Sequence, residues 1–223
     1  MQKVRTALIA GASGLVGGHL LRLLLKSERY SQVTSIGRRE LPLIHPKLDQ
    51  QVIDFDHLKN FASELAVDDV FCCLGTTIKQ AGSKDAFYKV DHTYVVQLAE
   101  YASKKGVSQF SVISAMSADA SSLIFYNKVK GEMEQDVKRY PFNAVHIFRP
   151  SLLLGEREEQ RNGEEFASKL MKPLSKLMVG PLDKYKPIEA ETVANAMLEA
   201  AKAERPGVHT YVSNEIAVLG TAQ

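Results

Sequence analysis

The chain has 223 residues, 45% of them hydrophobic and 24% charged, with no tryptophan. At roughly 150 residues per domain, this length favours one large domain and excludes the usual two-domain dehydrogenase. Twenty-eight Lys plus Arg against 26 Asp plus Glu leave a net charge of +2; with no basic cluster suited to a phosphate backbone and no apolar run near the ~18 residues of a membrane helix, neither nucleic acid nor a membrane span is expected.

Short β-branched runs alternate with longer segments of helical period, the pattern of βαβ units and so of an α/β doubly wound parallel sheet. Strands are predicted at residues 4–10, 32–37, 51–54, 69–74, 108–114, 143–149 and 209–212, and helices at 14–27, 56–66, 85–105, 123–138, 164–177 and 190–203. Residues 1–150 form the expected cofactor-binding core. Residues 151–223 form a small substrate or cap region plus the last helix and strand, with the charged stretch 155–186, which carries Pro173 inside its helix, as the cap.

Cys72 and Cys73 are adjacent in an apolar run. Neighbouring side chains of a strand face opposite ways, so no disulfide joins them. Two reduced cysteines and a start, Met1-Gln2-Lys3-Val4-Arg5-Thr6, without leader character point to a cytoplasmic protein. The six histidines are scattered without metal-ligand spacing, and no metal is expected.

The first strand runs into Gly11-Ala12-Ser13-Gly14-Leu15-Val16-Gly17 and then into an apolar helix. Gly11 suits the tight exit turn, Gly14 lets a pyrophosphate approach the backbone, and Gly17 lets the helix pack close to the strand. The helix N-terminus offers unpaired N–H groups to the anion. At the end of the second strand an NAD site wants a carboxylate for the ribose 2′-hydroxyl. Here the chain reads Gly37-Arg38-Arg39-Glu40. Two guanidiniums suit a 2′-phosphate, so NADP(H) is the expected cofactor, with Glu40 as the carboxylate in the NAD alternative. Asp54 and Asp56, closing the third strand, are placed to reach the adenine edge, and the fourth strand ends in Cys73-Leu74-Gly75-Thr76-Thr77, beside the adenine ribose and pyrophosphate.

Tyr126 and Lys130 stand one helical turn apart in a segment that Ser121 or Ser122 would cap. An ammonium beside a phenol favours the phenolate, which lets the phenol move a proton to or from a carbonyl oxygen as hydride is transferred. Lys130 would also hold the nicotinamide ribose hydroxyls. Ser114, at the end of the fifth strand, is the expected polariser of the carbonyl, with Ser117 as the alternative.

The succession GASGxxG, IGRR, FCCLGTT, the VDxxYV at Val90-Asp91, the YxxVKGExE from Tyr126 and the FRPxxLL at 148–154 resembles the Tat-interacting oxidoreductase family, an atypical branch of the short-chain dehydrogenase/reductases. The resemblance implies an NADP(H)-binding Rossmann-like fold with a Tyr/Lys pair. It carries cofactor contacts onto Ser13, Gly14, Leu15, Val16, Arg38, Arg39, Leu74, Gly75, Tyr126, Lys130 and Leu153, and it matches Arg161 to a family arginine, so that Arg161 would close over the cofactor from the cap. Asp91 stands where the wider superfamily has Asn, and the narrower family shares the Asp.

The leading expectation is therefore an oxidoreductase that transfers hydride between NADP(H) and a small carbonyl or alcohol, with Tyr126 as acid and base. The alternative, from another class, is a non-catalytic NADP(H)-binding regulator or redox sensor whose occupancy a protein partner reads; a homodimer is left open. A sugar-nucleotide epimerase or dehydratase is the third reading, disfavoured because such enzymes carry a larger substrate-holding portion than the ~70 residues after Pro150.

Overall fold

The computed structural model describes residues 4–62, 65–155 and 185–221. In β1 (Arg5–Ala10) the side chains alternate between two cores, with Ala7 and Ile9 in one and Leu8 and Ala10 in the other. A strand covered on both faces reads as an unbroken apolar run for this reason. Helix α1 (Leu15–Lys26) lays Leu20, Leu21, Leu24 and Leu25 on the first face as one stripe, beside Val193, Ala194 and Met197 of α7 (Ala190–Lys202). On the second face, Val95, Leu98, Ala99 and Ala102 of α5 (Tyr94–Lys104) meet Met133 and Val137 of α6 (Phe125–Val137). Each fully buried leucine stabilises this layering by about 1.5–3 kcal/mol before chain entropy is counted.

The sheet also holds β2 (Tyr30–Gly37), β3 (Leu48–Val52), β4 (Asp69–Cys72), β5 (Gln109–Ile113), β6 (Ala144–Arg149) and β9 (Gly207–Val212). These seven strands run parallel in the order β3-β2-β1-β4-β5-β6-β9. The first six follow the order of Rossmann-like nucleotide-binding folds, in which the reversal between β1 and β4 opens a crevice at the strands' carboxyl ends. A second sheet pairs β7 (Leu153–Leu154) with β8 (Ile188–Glu189). No helix among the described residues is long and apolar enough to cross a membrane.

Several boundaries depart from the sequence expectation. The third strand lies at Leu48–Val52 rather than 51–54; it is an edge strand with half-exposed or exposed side chains throughout, so its apolar signal is thin. The helix expected at 56–66 opens as a 3₁₀ turn, Phe55–His57, where the Asp54 carboxylate accepts the Asp56 N–H at 2.9 Å, and continues as α2 (Leu58–Ala62). The helix expected at 85–105 divides into α4 (Lys84–Tyr88), a π turn at Lys89–Thr93 and α5, preceded by the single-turn α3 (Ile78–Ala81). Neither Ser121 nor Ser122 caps α6; Ile124 precedes it with no side-chain cap, and the Ser122 hydroxyl accepts the Ile124 N–H at 3.2 Å instead.

The expected helix 164–177 lies outside the described residues. A last helix, α8 (Ser213–Thr221), has no counterpart in the expectation, although Glu215 accepts the Val212 N–H at 2.9 Å in half of a capping box. Helices α7 and α8 pack on the main sheet that β9 extends. Residues 190–221 thus belong to the same layered unit as 5–149.

Candidate functional site

The glycine loop sits at the switch point between β1 and β4. Gly11 has φ +86°, in the left-handed region, and a Cβ there would lie 2.6 Å from the Cys73 carbonyl oxygen. A Cβ on Gly17 would lie 2.2 Å from the Gly11 carbonyl oxygen, so only glycine lets α1 rest on the loop. Gly14 is the N-cap of α1, donating its N–H to the Gly11 carbonyl at 3.0 Å; no side chain caps the helix and no acid occupies its first turn. Unpaired amides and the positive end of the helix dipole remain for an outside anion, and the loop fits a phosphate group. Ser13 and Gly14 are exposed and Leu15 is half-buried, whereas Val16 is a core residue that reaches the loop only through its backbone.

Arg38, Arg39 and Glu40 are exposed immediately after β2. Asp54 and Asp56 are exposed but locally engaged. The Asp56 N–H and the His57 ring, at 2.8 Å, hold the Asp54 carboxyl below the usual carboxylate range. Lys89, at 2.6 Å, and the Tyr94 hydroxyl, at 2.7 Å, do the same for Asp56. Cys72 faces the second core and Cys73 the first, opposite ways as adjacent strand residues must. Burial pushes the Cys72 thiol up to about 12 and the Cys73 thiol upward as well, which leaves both poor nucleophiles.

Leu74 and Gly75 continue from β4 toward the Tyr/Lys helix; a Cβ on Gly75 would meet Asp91 Oδ1 at 3.4 Å and Lys130 Nζ at 3.8 Å. Lys130 and Asp91 are 3% and 1% exposed and form an ion pair of 2.7 Å. Asp91 comes from the π turn, and its other carboxylate oxygen accepts the Thr76 N–H at 2.8 Å. Burial alone would drive the Lys130 ammonium down, but Asp91, then Tyr126 and Cys72, hold it above the ordinary lysine value. The lysine is thus a compensated cation with two further N–H donors. Tyr126 is half-buried, its ring 5.5 Å from that of Phe87.

Tyr126 lines a cleft of about 230 Å³ together with Ser114, Ala115, Met116, Ser117, Asn127, Pro150, Ser151 and Leu153. Gly131 explains why the strand-end loop lies across α6. A Cβ there would fall 2.1 Å from the Ala120 nitrogen, and the Asp119 N–H donates to the Asn127 carbonyl at 3.0 Å. Leu153 ties the cleft to the glycine loop, since Gly155, two residues on, stands where a Cβ would be 2.9 Å from the Leu15 side chain.

The structure therefore brings Tyr126, Ser114, Ser117 and Leu153 to one cleft, with Lys130 of the same helix as Tyr126 beside Gly75. Arg161 lies outside the described residues. Sequence reasoning missed Glu134. Its carboxylate is 1% exposed, accepts the Ser114 hydroxyl at 2.5 Å, and is gripped by Arg149 through Nε at 2.8 Å and a terminal nitrogen at 2.6 Å. The GExE and FRP motifs named these residues without revealing that they meet.

A model of the NAD dependent epimerase/dehydratase family matches residues 7–221, nearly the whole chain. The chain belongs to this family. Among its relatives, rat Protein HTATIP2 is 41% identical over 169 residues, covering 74% of this chain and 69% of the rat protein, in agreement with the Tat-interacting resemblance. Protein FMP52, mitochondrial, from Candida glabrata is 31% identical over 96% of this chain and 95% of its own length. That relative's mitochondrial description departs from a plain cytoplasmic expectation. Of solved structures, MoeE5 in complex with UDP-glucose and NAD superposes with a TM-score of 0.70 at 19% identity, covering 96% of this chain and 80% of MoeE5. Bordetella bronchiseptica WbmH in complex with NAD+ gives 0.70 at 18%, covering 94% and 76%. At these identities the likeness is one of fold.

Proposed function

We propose that the protein is an NADP(H)-dependent oxidoreductase that moves hydride between the cofactor and a small carbonyl or alcohol. The observation that carries this reading is the joint placement of Tyr126 in a cleft and of the Lys130–Asp91 pair against Gly75, at the end of the strand beside the glycine loop. The loop 11–17 would hold the pyrophosphate through backbone amides, Arg38 and Arg39 would bind the 2′-phosphate, and Lys130 would direct its remaining donors to the nicotinamide ribose. When bound, the nicotinamide supplies or accepts the hydride. Tyr126 gives its phenolic proton to the carbonyl oxygen in reduction and takes one from the alcohol in oxidation. Ser117, exposed in the cleft, is free to rotate its hydroxyl toward the reacting oxygen, whereas the Ser114 proton is engaged by Glu134. A reducing compartment agrees with the two free thiols, and a mitochondrial one agrees with the description of the fungal relative.

The Tyr126→Phe variant tests the assignment. NADPH affinity should stay within about twofold and turnover on a substrate found by screening should fall at least 100-fold, the scale of a lost general acid. Unchanged turnover removes Tyr126 from the chemistry.

One observation favours a second reading, a non-catalytic NADP(H)-binding regulator: the engaged Ser114 leaves the strand-end position without a free donor for a carbonyl. Capture of a protein partner that depends on NADPH, with no turnover across a broad carbonyl and alcohol panel, would select it. The two high-lying thiols speak against redox sensing through cysteine.

A further inference from the structure

Ser114 just after β5, Glu134 on α6 and Arg149 at the end of β6 meet in one chain of contacts around the buried Glu134 carboxylate, which the proposed chemistry leaves without a role. Arg149 grips the Glu134 carboxylate with two charge-assisted bonds, and Lys138 stands 3.6 Å away on the same carboxylate. An ionised carboxylate only accepts hydrogen bonds. The Ser114 hydroxyl, 2.5 Å from Oε1, must therefore point its proton inward, and what it presents to the cleft is lone-pair density alone. Turning the proton toward a ligand would leave a buried, charged oxygen short of one donor, a cost larger than the gain of one neutral hydrogen bond.

We infer that Ser114 is a fixed hydrogen-bond acceptor that selects ligands bearing a hydroxyl or amine N–H at that point of the cleft. The substrate class is then one that carries such a donor beside the reacting carbon, with Tyr126 and Ser117 serving the reacting oxygen. This inference rests on the reading of the cleft as a substrate site.

δ-Valerolactam and cyclohexanone have nearly the same shape and the same carbonyl, differ in an N–H against a CH2 beside the carbonyl carbon, and neither passes hydride to NADP+. Each is titrated by saturation-transfer NMR against the full chain loaded with NADP+. The parent protein should bind δ-valerolactam about fivefold more tightly, the worth of one net hydrogen bond. Ser114→Ala should erase the difference while keeping binding. Glu134→Gln should narrow or reverse it, because the new amide N–H can donate to Ser114 and release the serine proton to the cleft. Should Glu134→Gln fail to fold, the comparison of parent with Ser114→Ala still decides. Equal or ketone-favouring affinity in the parent, or a preference that survives Ser114→Ala, overturns the acceptor role and leaves the site standing. Absence of binding by either probe overturns the cleft as a substrate site, and the acceptor role with it.

Discussion

Asp91 shows how one side chain is required by the backbone and the chemistry together. Its two oxygens bind Lys130 and the Thr76 N–H, tying α6 to the turn after β4. Because both charges are almost fully buried, removing one partner strands the other. Asp91→Ala should cost about 3–5 kcal/mol in urea unfolding, and adding Lys130→Met should restore a large part of it. A single variant that loses under about 1 kcal/mol would mean the ammonium finds water or another partner. The sequence carried a hint, an Asp where the wider superfamily has Asn, but spacing could not say that position 91 meets position 130.

Helix α6 gathers the site onto successive turns: Tyr126 toward the cleft, Lys130 toward Asp91, Gly131 under the crossing loop and Glu134 beneath Ser114. Helix propensity alone says that Gly131→Ala should stabilise by about 1 kcal/mol. The added Cβ, however, would lie 2.1 and 2.2 Å from backbone atoms of Ala120 and Asp119, which cannot swing aside as a flexible side chain would. Steric overlap wins over propensity, and a loss above about 2 kcal/mol is expected from thermal or urea melts. A more stable variant would show that the loop moves freely. Apolar periodicity located the long elements β1, α1, α5, α6 and α7 because each buries one stripe or both faces. It failed where tertiary contact decides: the π turn that aims Asp91, the two-residue strands β7 and β8, and the half-exposed edge strand β3. Glu134 was legible as a motif letter only, because its partners lie 20 and 15 residues away in sequence.

At the scale of the molecule, β9 and its helices close the far edge of the sheet over His146. That ring is buried between Gln109, at 3.2 Å, and the Tyr211 hydroxyl, at 3.3 Å. Burial first, then the neighbouring His209 and Arg205, pull its pKa from 6.5 down to about 4. The unfolded chain therefore takes up a proton that the folded one refuses between these values. Stability should be full above pH ~6.5 and fall by up to about 3 kcal/mol as pH drops through 4. His146→Gln should flatten this slope in urea unfolding at pH 7 and 4.5, and an equally steep slope would place the proton uptake elsewhere. The seven-stranded order sets the glycine loop, Arg38 with Arg39, and the Tyr126 cleft along the carboxyl ends of the strands, and so makes the cofactor the centre of the account. Equilibrium binding of NADPH and NADH, followed by fluorescence in the parent and in Arg38→Ala/Arg39→Ala, tests it most directly. The account predicts NADPH at least tenfold tighter in the parent, with that margin lost in the double variant while NADH is little changed. Equal affinities in the parent, or NADH the tighter ligand, would contradict it.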